Sequence, residues 1–324
     1  MPGYDLKEGF YREENVSDDE LWAVFTSLFS SQATMVSSYK YGFLKAIIDN
    51  LYNTDDELRL SFDQLFSKFA EIYWNLILKY HLQQQSKKET YLEQILHDSV
   101  QKYALPEGIP YESLTMDMMF EISHQVKQKC KKYVIGALFE DTKRLFYSFS
   151  KKEEKIRIKP QMYEFICKHK VAIEKLNYYE WARFLERVNE SEGVDHLLCK
   201  IDESAKRNNL SYYRDILFQE FENRCFYCGK PVTKKAVEVD HFIPWSFIKD
   251  DQLWNFVLAC PECNNRKRDK LAQVDFLYKI SERNEILVEK KQVDSPDAAL
   301  RIQMIYTWAQ KNGYSEIWTP VRRV

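Results

Sequence analysis

Two Cys-x-x-Cys pairs, Cys225–Cys228 and Cys260–Cys263, are separated by 31 residues. That spacing is compatible with one tetrahedral zinc site, in which each pair delivers two soft thiolates from one tight turn. A shell closed by four cysteines leaves no open coordination position, so such a zinc is structural. Any chemistry must come from residues beside and between the knuckles: Asp240, His241, Asn255 and Asn264. A Cys-x-x-Cys pair alone is a weak signal; two pairs bracketing Asp-His, with Asn and Lys after the last Cys, form a specific one.

The run Val239-Asp240-His241-Phe242-Ile243-Pro244, the later Asn255 and the closing Cys263-Asn264-x-x-Lys267 resemble the HNH (ββα-metal) endonucleases in a zinc-stapled, four-cysteine variant. With Ser246-Phe247-Ile248-Lys249-Asp250-Asp251, the stretch is also similar to the HNH domain of RNA-guided CRISPR effector nucleases. The resemblance covers about residues 210–275. It implies a β-hairpin and a helix that pinch one divalent cation, Mg2+ or Mn2+. Asp240 and Asn264 would then be metal ligands, His241 the general base, and Asn255 the brace of the loop carrying His241. The family often has His where this chain has Asn264.

Physical chemistry agrees with those roles. Adjacent residues at a strand end face opposite ways, so Asp240 can hold a cation while His241 faces the scissile phosphate. Oxygen donors suit a hard cation completed by waters and a phosphate oxygen. An imidazole titrates near neutrality and can take a proton from attacking water. Arg266, Lys267, Arg268 and Lys270, on a helix expected from Pro261 to Lys270, are candidate phosphate contacts. Their bland alternative is a solvated helix face. Glu238, two residues before Asp240, reads as structural. The competing reading of the whole stretch is a non-catalytic zinc-knuckle module for nucleic-acid binding or protein interaction. It accounts for the cysteines but not for the coincidence of Asp240, His241 and Asn264.

Composition bounds the partners. The chain of 324 residues carries a net charge of −2, so global charge announces no nucleic-acid partner. Its distribution says more. Residues 1–120 hold 10 basic and 19 acidic side chains (net −9), residues 121–200 hold 17 and 12 (+5), and residues 224–270 hold 9 and 6 (+3). A DNA backbone is attracted to the middle and the nuclease stretch and repelled by the N-terminal part. Of the seven cysteines, Cys130, Cys167 and Cys199 fall singly in helical patterns and read as buried small apolar residues. No disulfide framework, signal peptide or membrane-length apolar run is legible, so a cytoplasmic protein without membrane contact is expected.

Residues 1–200 read as almost wholly helical. Ser17-Asp18-Asp19-Glu20 and Ser61-Phe62-Asp63-Gln64 mark helix starts, and residues 39–52, 89–103 and 116–150 carry helical periodicity. Phe62, Phe66, Phe69, Tyr73 and Tyr80 form a helical stripe that reads as core, not as a base-stacking platform. Lys127, Lys129, Lys131 and Lys132 make a basic cluster; Lys151–Lys159 is a charged connector with a short strand. Helices follow from Pro160 to about Leu176 and from Tyr179 to Val188, and Gly193 punctuates the chain. A strand over Ala236–Val239 delivers Asp240, helices over 273–290 and 297–311 close the chain, and Arg322-Arg323 stands near its end.

The expected fold class is mainly α: a large all-helical N-terminal region, a small zinc-stabilised ββα-metal nuclease domain, and C-terminal helices. The domain reading is 1–105 helical, 106–205 helical with the basic segment, 206–275 nuclease, and 276–324 helices packing on the nuclease or the helical body. The expected activity is hydrolysis of DNA, as double-strand cutting or nicking, in a restriction-type or anti-phage defence setting. RNA remains an open alternative substrate. The helical part is expected to recognise substrate, to dock a protein partner such as an ATPase or another defence-system subunit, or to self-associate.

Overall fold

A computed structural model describes residues 4–30, 36–86, 88–189, 196–204, 210–293 and 297–320. Gly193 and Arg322-Arg323 lie outside these residues. The chain is mainly α and divides into two units, residues 1–206 and 207–324.

The first unit runs β1 (Glu8–Gly9), α1 (Asp18–Leu28), α2 (Tyr39–Asp49), β2 (Arg59–Ser61), α3 (Phe62–Trp74), α4 (Tyr91–Lys102), α5 (Met116–Asp141), β3 (Tyr147–Ser150), β4 (Lys155–Ile158), α6 (Pro160–Val188) and α7 (Leu197–Asp202). Ser17 and Ser61 each accept a hydrogen bond from the backbone of the third helical residue, Glu20 and Gln64, whose side chains reach back to the cap. Two orphan donors are thereby satisfied at each helix start. The aromatic stripe is core along α3, where Phe62, Phe66, Phe69 and Tyr73 are all fully buried, but Tyr80 lies beyond the helix and is half-buried. α3 packs against α2 and α5, and α2 against α6.

The all-helical expectation needs a correction. A four-stranded sheet, ordered β1-β3-β4-β2 and antiparallel throughout, lies in this unit. The expected helix over 116–150 ends at Asp141, because Lys143 and Arg144 take left-handed φ of 55° and 59° and turn the chain into β3. Burial then alternates along β3 and β4, with Phe149, Ile156 and Ile158 inward. Strands of four residues are too short for their alternation to stand out between long helices. The two helices expected after Pro160 are one helix kinked at His169, where φ is −120°. The lysine cluster on α5 is partly neutralised: Lys127 Nζ donates to Asp63 and Glu154, each at 2.7 Å, and Lys131 Nζ to Glu154 at 2.6 Å. Cys130 and Cys167 are buried as expected, but Cys199 on the short α7 is exposed.

The second unit runs α8 (Ser211–Glu220), β5 (Glu238–His241), α9 (Trp245–Ile248), β6 (Phe256–Ala259), α10 (Pro261–Lys267), β7 (Leu271–Ala272), α11 (Val274–Glu289), α12 (Ala298–Lys311) and β8 (Ile317–Trp318). β5 and β6 form an antiparallel pair with Asp240 opposite Val257 and His241 opposite Phe256. The strand thus begins at Glu238 and includes His241, later than the expected Ala236–Val239. β7 and β8 pair in parallel, which joins the stretch after α10 to the chain beyond α12. From α11 the buried Arg283 donates to the carbonyls of Trp254 at 3.0 Å and Leu253 at 3.3 Å, and also to Phe256 O. One guanidinium therefore satisfies three carbonyls of the segment entering β6.

None of the described helices is long and apolar enough to cross a membrane.

Gly42 of α2 marks the tightest approach in the helical unit: a Cβ there would stand 2.3 Å from the Tyr73 ring. Alanine raises helix propensity by about 1 kcal/mol, whereas overpacking costs about 1–3 kcal/mol. Gly42→Ala should therefore lower stability by up to about 2 kcal/mol, read as a reduced urea midpoint at unchanged slope.

Candidate active site and zinc centre

The two knuckles meet. One ligand atom from each of Cys225, Cys228, Cys260 and Cys263 lies within 4.8 Å of the others. The Sγ atoms of Cys228 and Cys260 are 3.8 Å apart, which is about the edge of a tetrahedron with metal–sulfur bonds near 2.3 Å. The first turn is closed by Gly229 N–H to Cys225 O at 2.9 Å, with Gly229 at φ +72°, a conformation an L side chain adopts with strain. Phe226 N–H donates to Leu258 O at 2.8 Å, which fastens the knuckle to β6. Burial, then the neighbouring thiols, pushes the Cys263 thiol up. Burial also raises Cys225. A dication would draw all four sulfurs to thiolate, so the donor set fits structural zinc.

A pocket of about 360 Å³ opens beside the hairpin, and Asp240, His241, Asn264 and Arg268 line it together. Asp240 and His241, neighbours expected to face opposite ways on the strand, both line this pocket. Asp240 is 6 % exposed. It accepts from Tyr227 Oη at 2.5 Å, and Lys267 Nζ stands 3.0 Å from its Oδ2. Asn264 follows Cys263 directly on α10, and its Nδ2 donates to Glu238 Oε2 at 2.6 Å. That bond leaves the Asn264 amide oxygen as a donor for a cation. Two hard oxygen donors on one pocket fit magnesium or manganese, which keeps several waters when protein ligands are few.

His241 is 5 % exposed, with its ring edge-on to Phe256 at 4.7 Å. Its Nε2–H donates to Asp251 Oδ1 at 2.8 Å, which leaves Nδ1 as the basic nitrogen. Asn255 is fully buried and clamps Ile243: its Oδ1 accepts from Ile243 N at 2.8 Å, and its Nδ2 donates to Ile243 O at 2.9 Å. The loop after His241 is thus bound in both directions to the entrance of β6.

Lys267 requires a correction. It was expected among the phosphate contacts, but its side chain is fully buried, with Nζ on Asp240 and donating to His241 O at 2.7 Å. The helix is shorter than expected, ending at Lys267, and Arg268 breaks it with φ 48° and ψ −127°. This break leaves Arg268 exposed on the pocket, with Lys270 paired to Glu316 at 2.7 Å. Arg266 is half-exposed and lies 3.7 Å from Glu262.

Residues 225–273 match the HNH endonuclease family. The match spans the knuckles, the hairpin and α10, and stops short of α11. No curated protein and no solved structure matches the chain. In the HNH segment, sequence reasoning missed three side chains: Asp251 on His241, Tyr227 on Asp240, and the inward course of Lys267. Asp251 stood in the quoted run Lys249-Asp250-Asp251, but only the turn through Pro244 brings it to the imidazole. Tyr227 lies inside the first Cys-x-x-Cys, and nothing local marks its hydroxyl as a partner of Asp240.

Two outcomes follow. Purified protein should carry one zinc per chain, and Cys228→Ser with Cys260→Ser should lose it together with the cooperative melting of residues 207–324, read by metal analysis and calorimetry. Asn255→Ala strips both bonds from the buried Ile243 peptide groups and should cost about 1–3 kcal/mol in denaturant unfolding, with the zinc retained.

Proposed function

We propose that the protein is a metal-dependent endonuclease of HNH type that hydrolyses DNA phosphodiester bonds. One observation carries this reading: Asp240, His241 and Asn264 line a single pocket. His241 Nδ1 takes the proton of the attacking water, and Asp251 holds the ring through Nε2–H. The water oxygen forms the new bond to phosphorus while the bond to the leaving oxygen breaks, and that oxygen is protonated from solvent. Asp240 and Asn264 would hold magnesium or manganese, which would supply charge stabilisation on the phosphate oxygens. Arg268 meets the phosphate backbone from the same pocket. Lys267 pairs with Asp240 and ties the His241 carbonyl from a buried position, so it positions the site and does not touch DNA.

We assign the helical unit to recognition of substrate or of a protein partner. It has its own packed core, and the cluster of metal-ligating residues among those described lies in the other unit. A nuclease joined to a separate helical unit suits defence against foreign DNA. The competing reading, a non-catalytic zinc-knuckle module, draws support from the occupied Asp240 carboxylate and the low exposure of His241.

Plasmid cleavage with magnesium or manganese separates the two. His241→Ala should lower the rate about 10²–10⁴-fold at unchanged zinc content. Equal cutting by variant and wild type overturns the assignment of His241; binding without cutting in either metal supports the module. Parallel assays on RNA and DNA decide the substrate. In cells, the defence setting predicts reduced phage plating that His241→Ala restores.

A further inference from the structure

A second pocket, of about 450 Å³, opens on the other side of Tyr227, beside the zinc knuckle. Tyr227 and Trp318, 5 % and 8 % exposed, line it, together with Lys230, Arg266, Lys279 and the carboxylate of Glu262. Glu262 is shared between two of the cations, at 3.3 Å from Lys230 and 3.7 Å from Arg266. Lys279 lies over the Phe276 ring at 5.0 Å. Cys228 and Cys263 also line the pocket, so its three cations stand beside one carboxylate and a zinc–thiolate cluster whose net charge with zinc bound is −2. An aromatic floor ringed by cations is the arrangement that single-stranded nucleic acid uses, with bases on rings and phosphates on lysine and arginine. The volume lies within the range of small-ligand sites, about 300–1,000 Å³.

Tyr227 joins this pocket to the catalytic one. Its ring lines the basic pocket, and its hydroxyl donates to Asp240 at 2.5 Å. We propose that the basic pocket holds a nucleotide of the strand being processed, its phosphates on Lys230, Arg266 and Lys279 and its base over the aromatic floor. The proposal rests on the nuclease reading in naming that strand as substrate. A strand seated there is one tyrosine away from the candidate metal ligand. Glu262 acts as a gate of charge, competing with phosphate for Lys230 and Arg266.

The test is binding of a fluorescein-labelled single-stranded oligonucleotide to the full, zinc-loaded chain without magnesium or manganese, followed by anisotropy over a range of salt. Lys230→Gln with Lys279→Gln should weaken binding about tenfold and reduce the slope of log K against log salt by about 1.4, two phosphates at about 0.7 each. Glu262→Gln should tighten binding about threefold, because it frees both cations. Glu285→Gln, an equal change of charge on the exposed face of α11, should tighten it less. Zinc content and melting temperature verify the fold of each variant. Unchanged affinity and slope in the lysine variant overturn the proposal, as does weaker binding by Glu262→Gln or an equal effect of Glu285→Gln. Wild-type protein that cuts plasmid with these results overturns the pocket alone. Binding through the pocket without cutting in any metal overturns the nuclease reading alone, and absence of binding overturns both.

Discussion

The second unit depends on four sulfurs brought to one place. A hairpin of two four-residue strands and a seven-residue helix bury too little apolar surface to hold a fixed geometry unaided. Joining Cys225 and Cys228 to Cys260 and Cys263 closes a long loop, and everything chemically interesting lies inside that loop or next to its ends. Asn264 is fixed because it follows Cys263. Tyr227 is fixed because it stands between Cys225 and Cys228, and from there it reaches Asp240.

A second constraint is electrostatic. Lys267 is a fully buried ammonium, and burying a charge is costly unless it is paired and hydrogen-bonded. Asp240 supplies the pair, and the His241 carbonyl supplies a further acceptor. The same pairing holds the Asp240 carboxylate in place, so one lysine ties the helix to the end of the hairpin. Arg283 does similar work behind β6, where three carbonyls converge on one guanidinium. That contact makes the C-terminal helices part of the second unit's architecture, since α11 supports the segment that carries Asn255.

The unit of residues 1–206 is organised differently. Its core is aromatic and aliphatic, built where α2, α3, α5 and α6 pack, with a small antiparallel sheet along one part. Ion pairs absorb part of the positive charge that the sequence concentrates in residues 121–200, as at Lys127 and Lys131. A count of charges therefore overstates what this unit offers to a polyanion.

The sequence by itself determined the mainly α class of the molecule and the four-cysteine segment that matches the HNH family. Helix caps at Ser17 and Ser61, the buried stripe of α3 and the four-cysteine framework are local patterns, set by spacing along the chain. The strand β3 escaped because four residues of alternation carry too little periodic signal beside long helices, whereas β4 falls in the charged connector where a short strand was expected. Tertiary structure alone decided which charges face inward and which face water. Nothing in the run Arg266-Lys267-Arg268 distinguishes its members; Lys267 turns inward because α10 lies against β5 with that face buried. Likewise Asp251 becomes the partner of His241 only when the chain folds back after Pro244. Contacts between residues distant along the chain depend on the packing of whole elements, and that packing is written in no single stretch.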